Sequence, residues 1–177
     1  MENLRKLVRA IIEEWRFYQR DWSLPGFRVM AVYRFGVWQQ DIKPRALQAV
    51  LFFVYRALFR YVRNHYGIEL YYTTKVGCRV TIAHQGGIVI HEKAEIGDFC
   101  MIRHNVTIGA LSASRSWEAP KLGVGVQVGC GAAILGNVDV GDRARIGPNT
   151  VVITNVPAGA SVFVAPPTTH IRKSTTG

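Results

Sequence analysis

A six-residue beat runs through the second half of the chain and constrains its fold more than any other feature. An aliphatic residue, often followed by Gly, recurs at Val76-Gly77, Ile82, Ile90, Ile96-Gly97, Ile102, Ile108-Gly109, Leu122-Gly123, Val128-Gly129, Ile134, Val140-Gly141, Ile146-Gly147 and Val152. Repetition at this period predicts a parallel β-helix, each repeat giving one short strand and a corner. Three repeats close a triangular coil, so residues about eighteen positions apart are expected to stack. Small residues four places after the aliphatic one (Val106, Ala132, Ala144) suit tight corners. Gly directly after a buried residue costs backbone entropy in an ordinary strand, so its recurrence marks a geometric demand.

Residues 1–67 lack the beat and read as an α-helical region. Leu4, Leu7, Val8, Ile11, Ile12 and Trp15 follow an amphipathic helical spacing, with Arg5, Lys6 and Arg9 mostly off that face. Ser23-Leu24-Pro25-Gly26 is expected to break it, with a second helix from about Phe27 to Gln39. A third runs from Arg45 to His65 and stops before Gly67. Its large apolar residues (Leu47, Leu51, Phe52, Phe53, Tyr55, Leu58, Phe59) are expected to pack on the β-helix or a neighbouring subunit. The β-helix domain is placed at 68–165 and a surface-laid tail at 166–177.

The beat is interrupted twice, and breaks of this kind put function on protruding loops. Ala83-His84-Gln85-Gly86-Gly87 adds two residues between Ile82 and Ile90. A thirteen-residue loop then runs from Gly109 to Lys121 and carries Trp117, which has no core position to fill.

Charge and cysteines narrow the classes. The net charge is +10. Residues 1–67 hold twelve Lys or Arg against five Asp or Glu, an asymmetry that points to anionic partners. Peripheral contact of these basic, aromatic helices with the inner membrane is one reading. The longest apolar stretch, Ala46 to Tyr55, is too short to span a bilayer, and Met1 to Trp15 does not read as a signal peptide. Cys78, Cys100 and Cys130 form no CxxC pair and are read as reduced packing residues of a cytoplasmic protein.

Among the five histidines, His84 and His104 each follow a core isoleucine by two places. They should therefore share one face, one coil and roughly 5 Å apart. An imidazole removes a proton from a hydroxyl well, given a carboxylate to orient it, and Glu69 is the nearest candidate. His91, Glu92 and Glu95 are expected in solvent, and His65 at a helix end. No HExxH or HxxxH spacing suggests a metal.

The motifs resemble a known family. Gly67-Ile68-Glu69-Leu70, Val80 through Ile90, Ile96-Gly97-Asp98, Val106-Thr107-Ile108-Gly109, Pro120-Lys121-Leu122-Gly123 and Ala133 through Asn137 resemble the serine acetyltransferases over about 68–157. A closer likeness, to colanic-acid-biosynthesis acetyltransferases, rests on Trp22-Ser23-Leu24, Tyr33-Arg34, Val54-Tyr55-Arg56 and Ile102 through Gly109. The resemblance implies a left-handed β-helix, a trimer or a dimer of trimers, and acetyl-CoA in a groove between subunits. It places the catalytic histidine on His84 and its carboxylate partner on Glu69. Two serine-holding features are altered: the aspartate before the histidine is Ala83, and the Arg-His pair before Pro-Lys is Glu118-Ala119.

On this basis the expected activity is O-acetylation of a sugar hydroxyl in surface polysaccharide synthesis, with a saccharide acceptor and no nucleic-acid partner. His104, Trp117 and Glu118 are assigned to the acceptor, and Gly109, Ala110, Lys121 and Cys130 to the cofactor, with Arg143 and Arg145 as further phosphate contacts. Serine O-acetylation is the alternative. A zinc hydratase gathering His84, His91 and His104 across a trimer, and a non-catalytic scaffold, are the other two.

Overall fold

The computed structural model describes residues 2–165 and Thr168; the remainder of the expected 166–177 tail lies outside the described residues. Three helices come first: α1 (Glu2–Phe17), α2 (Pro25–Gln39) and α3 (Arg45–Tyr66). The strands that follow are β1 (Ile68–Leu70), β2 (Lys75–Val76), β3 (Thr81–Ala83), β4 (Ile88–Ile90), β5 (Glu95–Ile96), β6 (Met101–Arg103) and β7 (Thr107–Gly109). After a loop come β8 (Lys121–Leu122), β9 (Gln127–Val128), β10 (Ala133–Leu135), β11 (Asp139–Val140), β12 (Arg145–Ile146), β13 (Val151–Val152) and β14 (Ser161–Val162).

Every third strand pairs in parallel up to β13, and β14 pairs with β12 because the second-sheet position between them is a single bridge, Val140 with Val156. Three sheets result and form the sides of a solenoid. The first is β1-β4-β7-β10-β13, the second β2-β5-β8-β11 and the third β3-β6-β9-β12-β14. Each beat residue turns inward, and Ile68, Ile88, Ile90, Ile102, Ile108 and Ile134 are essentially inaccessible. Burying one such side chain stabilises by about 1.5–3 kcal/mol. Val106, Ala132 and Ala144 are fully buried at the corners, as expected.

The register locates both interruptions. Ala133 pairs with Val151 eighteen residues on, whereas Ile68 pairs with Ile88 twenty residues on. Thr107 pairs with Ala133 twenty-six residues on, so the large loop adds eight residues to its coil. Five of the thirteen expected loop residues belong to the ordinary corner and strand.

The helices cover the open end of the solenoid, where strands lack a neighbour on one side. The Tyr18 hydroxyl donates to Val80 O (3.1 Å) and accepts from Ile82 N–H (2.8 Å). Tyr33 does the same for Thr74 O (2.8 Å) and Val76 N–H (3.2 Å). Arg34 donates to Val76 O and Gly77 O, and pairs with the buried Glu14 at 2.7 Å. Side chains thus satisfy backbone groups that a preceding coil would have paired.

Four expectations change. Pro25 and Gly26 start α2 rather than ending a turn, since Pro is pre-organised for a first helical position. On α3, Tyr55 is buried within the protomer, while Leu47, Phe53 and Leu58 lie on the face turned from α2 and the solenoid, so only the neighbouring-subunit part of the expectation applies to them. Only Cys100 packs in the core; Cys78 is exposed and Cys130 half-buried, and all three thiols are free. Glu95 is not simply solvated: it meets Lys75 at 3.1 Å and Lys121 at 4.0 Å in a row of outward charges on the second sheet. No described helix is long and apolar enough to cross a membrane.

Candidate active site

The two extra residues of the first interruption create the corner that carries His84. His84 is exposed and adopts a left-handed backbone (φ 69°), uncommon for a residue with a Cβ. Arg79, Phe99, Asn105, Arg143 and Asn149 take the same conformation at other corners of the solenoid, so it is how these corners turn. The turn is held by Gly86 N–H on Tyr66 O (2.8 Å) and by Asn105 N–H on Gly86 O (2.8 Å). Gly87 (φ 64°) lies so close to Asn105 that a Cβ there would collide with its side chain.

His104 stands one coil further on. Ile82 pairs with Ile102 and Ala83 with Arg103, which sets the two imidazoles edge to face with centroids 5.8 Å apart. The Nδ1 atom of His104 is buried and has no hydrogen-bond partner. Its carbonyl accepts from Gly131 N–H (3.0 Å), and this brings Cys130 to the same corner on the next coil. Arg103, in register with Ala83, is exposed beside the pair.

The other assigned residues gather further along the first sheet. Glu69 is the central residue of β1 and pairs with Val89, with its side chain on the outer face. It lines a cavity of about 400 Å³ with Tyr71, His91, Thr107, Gly109 and Ala110. The Tyr71 hydroxyl is pushed up, first by burial and then by the Glu69 carboxylate beside it. Among the described residues Glu69 makes no hydrogen bond to His84.

The loop holds a short 3-10 turn at Ala113–Arg115, and Trp117 is 61% exposed. Glu118 is half-buried, and Arg115 Nη1 lies 3.7 Å from its carboxylate. Lys121 sits outward on the second sheet beside Glu95, away from the cavity that Gly109 and Ala110 line. His91 is half-buried rather than free on the surface, and its Nδ1 accepts from Lys93 N–H (3.1 Å). Sequence reasoning assigned no role to Tyr71 or Arg103. The alternation of β1 contains the signal for Tyr71, since residues 69 and 71 flank the inward Leu70.

No family model matches the chain. It is 34% identical to serine acetyltransferase of Helicobacter pylori over 170 residues, 93% of this chain and 95% of that protein. It is 32% identical to serine acetyltransferase of Synechococcus elongatus over 142 residues, 80% of this chain and 55% of the relative. Among solved structures, serine acetyltransferase isoform 3 of Entamoeba histolytica, in complex with cysteine, superimposes with a TM-score of 0.77 at 25% identity. The match covers 98% of this chain and 63% of that one.

These relatives overturn two expectations. The closer likeness to colanic-acid-biosynthesis acetyltransferases, and the saccharide acceptor in polysaccharide synthesis built on it, give way to the serine acetyltransferases. The sugar reading rested on altered residues at three positions, against a similarity that runs through both the helices and the solenoid. The zinc hydratase and scaffold readings fall with it, because the relatives that cover the chain are acyltransferases. An acyltransferase fold reached from its hexad repeat, its helical cap and its full-length relatives identifies the chain as a member of the serine acetyltransferase family of hexapeptide-repeat enzymes.

Proposed function

We propose that this enzyme transfers an acetyl group from acetyl-CoA to the hydroxyl of L-serine, with His84 as general base. The observation that carries the reading is His84 itself, exposed at the enlarged corner against a second imidazole, in a chain of this family. His84 takes the hydroxyl proton as the serine oxygen attacks the thioester carbonyl carbon. The tetrahedral intermediate collapses, the C–S bond breaks, and His84 returns the proton to the departing thiolate. Glu69 serves as the orienting carboxylate once it turns from Tyr71 towards the corner. The cavity at Gly109 and Ala110 takes the pantetheine arm, and coenzyme A carries the activated group while the protein aligns it.

The active form is a trimer, with the groove completed by a neighbour. Support comes from the outward rows of the sheets. Beyond Glu69 at its open end, the first sheet presents Val89, Thr107, Ala133 and Val151 in register without a charge, and Val151 is 64% exposed. The second presents Lys75, Glu95, Lys121 and Asp139, alternating in sign. An uncharged face of small residues suits contact with another copy, and it adjoins both His84 and the cavity.

Thiol release from acetyl-CoA with L-serine tests the assignment. The wild-type protein should release coenzyme A in a serine-dependent way. His84→Ala should lose about 10²–10⁴-fold in turnover while retaining acetyl-CoA binding by calorimetry. Unchanged turnover in that variant removes His84 from the role, and no serine-dependent release by wild type removes serine as acceptor.

A further inference from the structure

We propose that the exposed face of α3 lies on an anionic phospholipid surface. The buried side of this 22-residue helix is Tyr55, Val62 and Tyr66. Its other side exposes Leu47 (49%), Val50 (60%), Phe53 (68%), Val54 (45%), Leu58 (39%) and Tyr61 (52%). At 100° per residue these six fall within one arc of about 140°. Arg60 and Arg56 lie just outside one border of that arc, with Arg45 and Arg63 further round towards the buried side, and α3 contains no Asp or Glu. The stripe does not stop at α3. Leu4 of α1 and Leu47 of α3 line a common hollow, and Val8 and Ile12 extend the exposed apolar row along α1.

Charge selects the occupant. A second copy presenting this same face antiparallel would set arginine against arginine with no carboxylate from α3 to answer it. The partner must bring negative charge together with apolar depth, and the face of an anionic bilayer brings both. The helix is about 33 Å long and does not qualify as a membrane span, so it lies in the interfacial plane. Phe53 and Val50 then enter the acyl boundary while the arginines reach the headgroup phosphates. Near the end of α3, Arg60, Tyr61, Asn64 and His65 line an open hollow of about 520 Å³ in which a headgroup phosphate meets Arg60.

Full-length protein is sedimented with vesicles of phosphatidylglycerol and phosphatidylcholine in equal parts, and with phosphatidylcholine alone, at low and high salt. Binding should occur to the anionic vesicles only and weaken with salt. Arg56→Gln with Arg60→Gln should lower it about 30-fold. Val50→Glu with Phe53→Glu should abolish it without changing the circular dichroism melt or the mass by light scattering. Equal binding to neutral vesicles, or no binding to either, overturns the proposal. So does a fall in assembly mass in the Glu variants, which assigns the face to a second copy. Serine-dependent thiol release measured without vesicles reports on the catalytic reading alone, so the two fail separately.

Discussion

Arg103 carries the acceptor question at the scale of single residues. Serine presents a carboxylate, and the chain has Glu118 where the family resemblance expects a cation. Arg115 is already turned towards Glu118, which leaves Arg103, exposed beside His84 and His104, as the available guanidinium. A charged hydrogen bond contributes about 1.5–3 kcal/mol, so Arg103→Gln should raise KM for serine at least about tenfold with kcat nearly unchanged. Initial rates across serine concentration check this, and an unchanged KM rules Arg103 out. Glu14 is a different case, because it is buried and its partner Arg34 is half-buried beside it. Glu14→Ala leaves Arg34 desolvated beside the open end of the solenoid, and should cost about 3–5 kcal/mol by urea denaturation. The pairing of His84 with His104 was legible because each follows an isoleucine whose strand register is fixed by the beat. The present direction of Glu69 was not, since spacing sets which face a side chain leaves from but not which neighbour it turns to. Glu14 was hidden for a related reason. Its burial comes from α2 crossing over α1, and nothing in α1 marks a buried acid.

Elements of the solenoid are set by corners as much as by strands. The corner before β4 holds two more residues than its successors, and its geometry depends on Gly87 in a left-handed conformation against Asn105. Gly87→Ala adds a left-handed penalty of about 1–2 kcal/mol together with the collision. Melting should fall, and the loss of thiol release at a permissive temperature should exceed the fraction unfolded, because His84 is displaced with the corner. Parallel scans of melting and activity separate these effects; activity tracking folded fraction alone refutes a local role. The regular coils were readable at this scale because hydrophobic burial imposes one inward residue per side. The eight-residue size of the insertion was not readable, because a corner and the first residue of β8 do not differ in composition from a loop. Pro25 misled for the opposite reason: a proline marks both the end of a turn and the first position of a helix.

Across the whole molecule the helical cap and the solenoid are joined by tyrosines, and this gives stability a defined pH dependence. Tyr18, Tyr33 and Tyr55 are all pushed above the usual phenol value, burial being the largest cause for each, and Tyr55 rises to about 12. Their hydroxyls bond Val80 and Ile82, Thr74 and Val76, and Tyr72 N–H, so each phenol seats a helix on the first coil. The sign follows from proton counting. Below about pH 10 both folded and unfolded chains keep these protons, and the tyrosines contribute their full stability. Between about pH 10 and 12 the unfolded chain releases protons that the folded chain retains, so unfolding is favoured progressively as pH rises. Melting temperature should therefore be flat from neutral pH to about 10 and then fall steeply. Tyr18→Phe should lower the neutral plateau, since Val80 O and Ile82 N–H lose their partner, and should make the alkaline fall shallower because one linked proton is gone. A Tyr18→Phe slope equal to wild type would mean that the seam between cap and solenoid does not hold that phenol protonated.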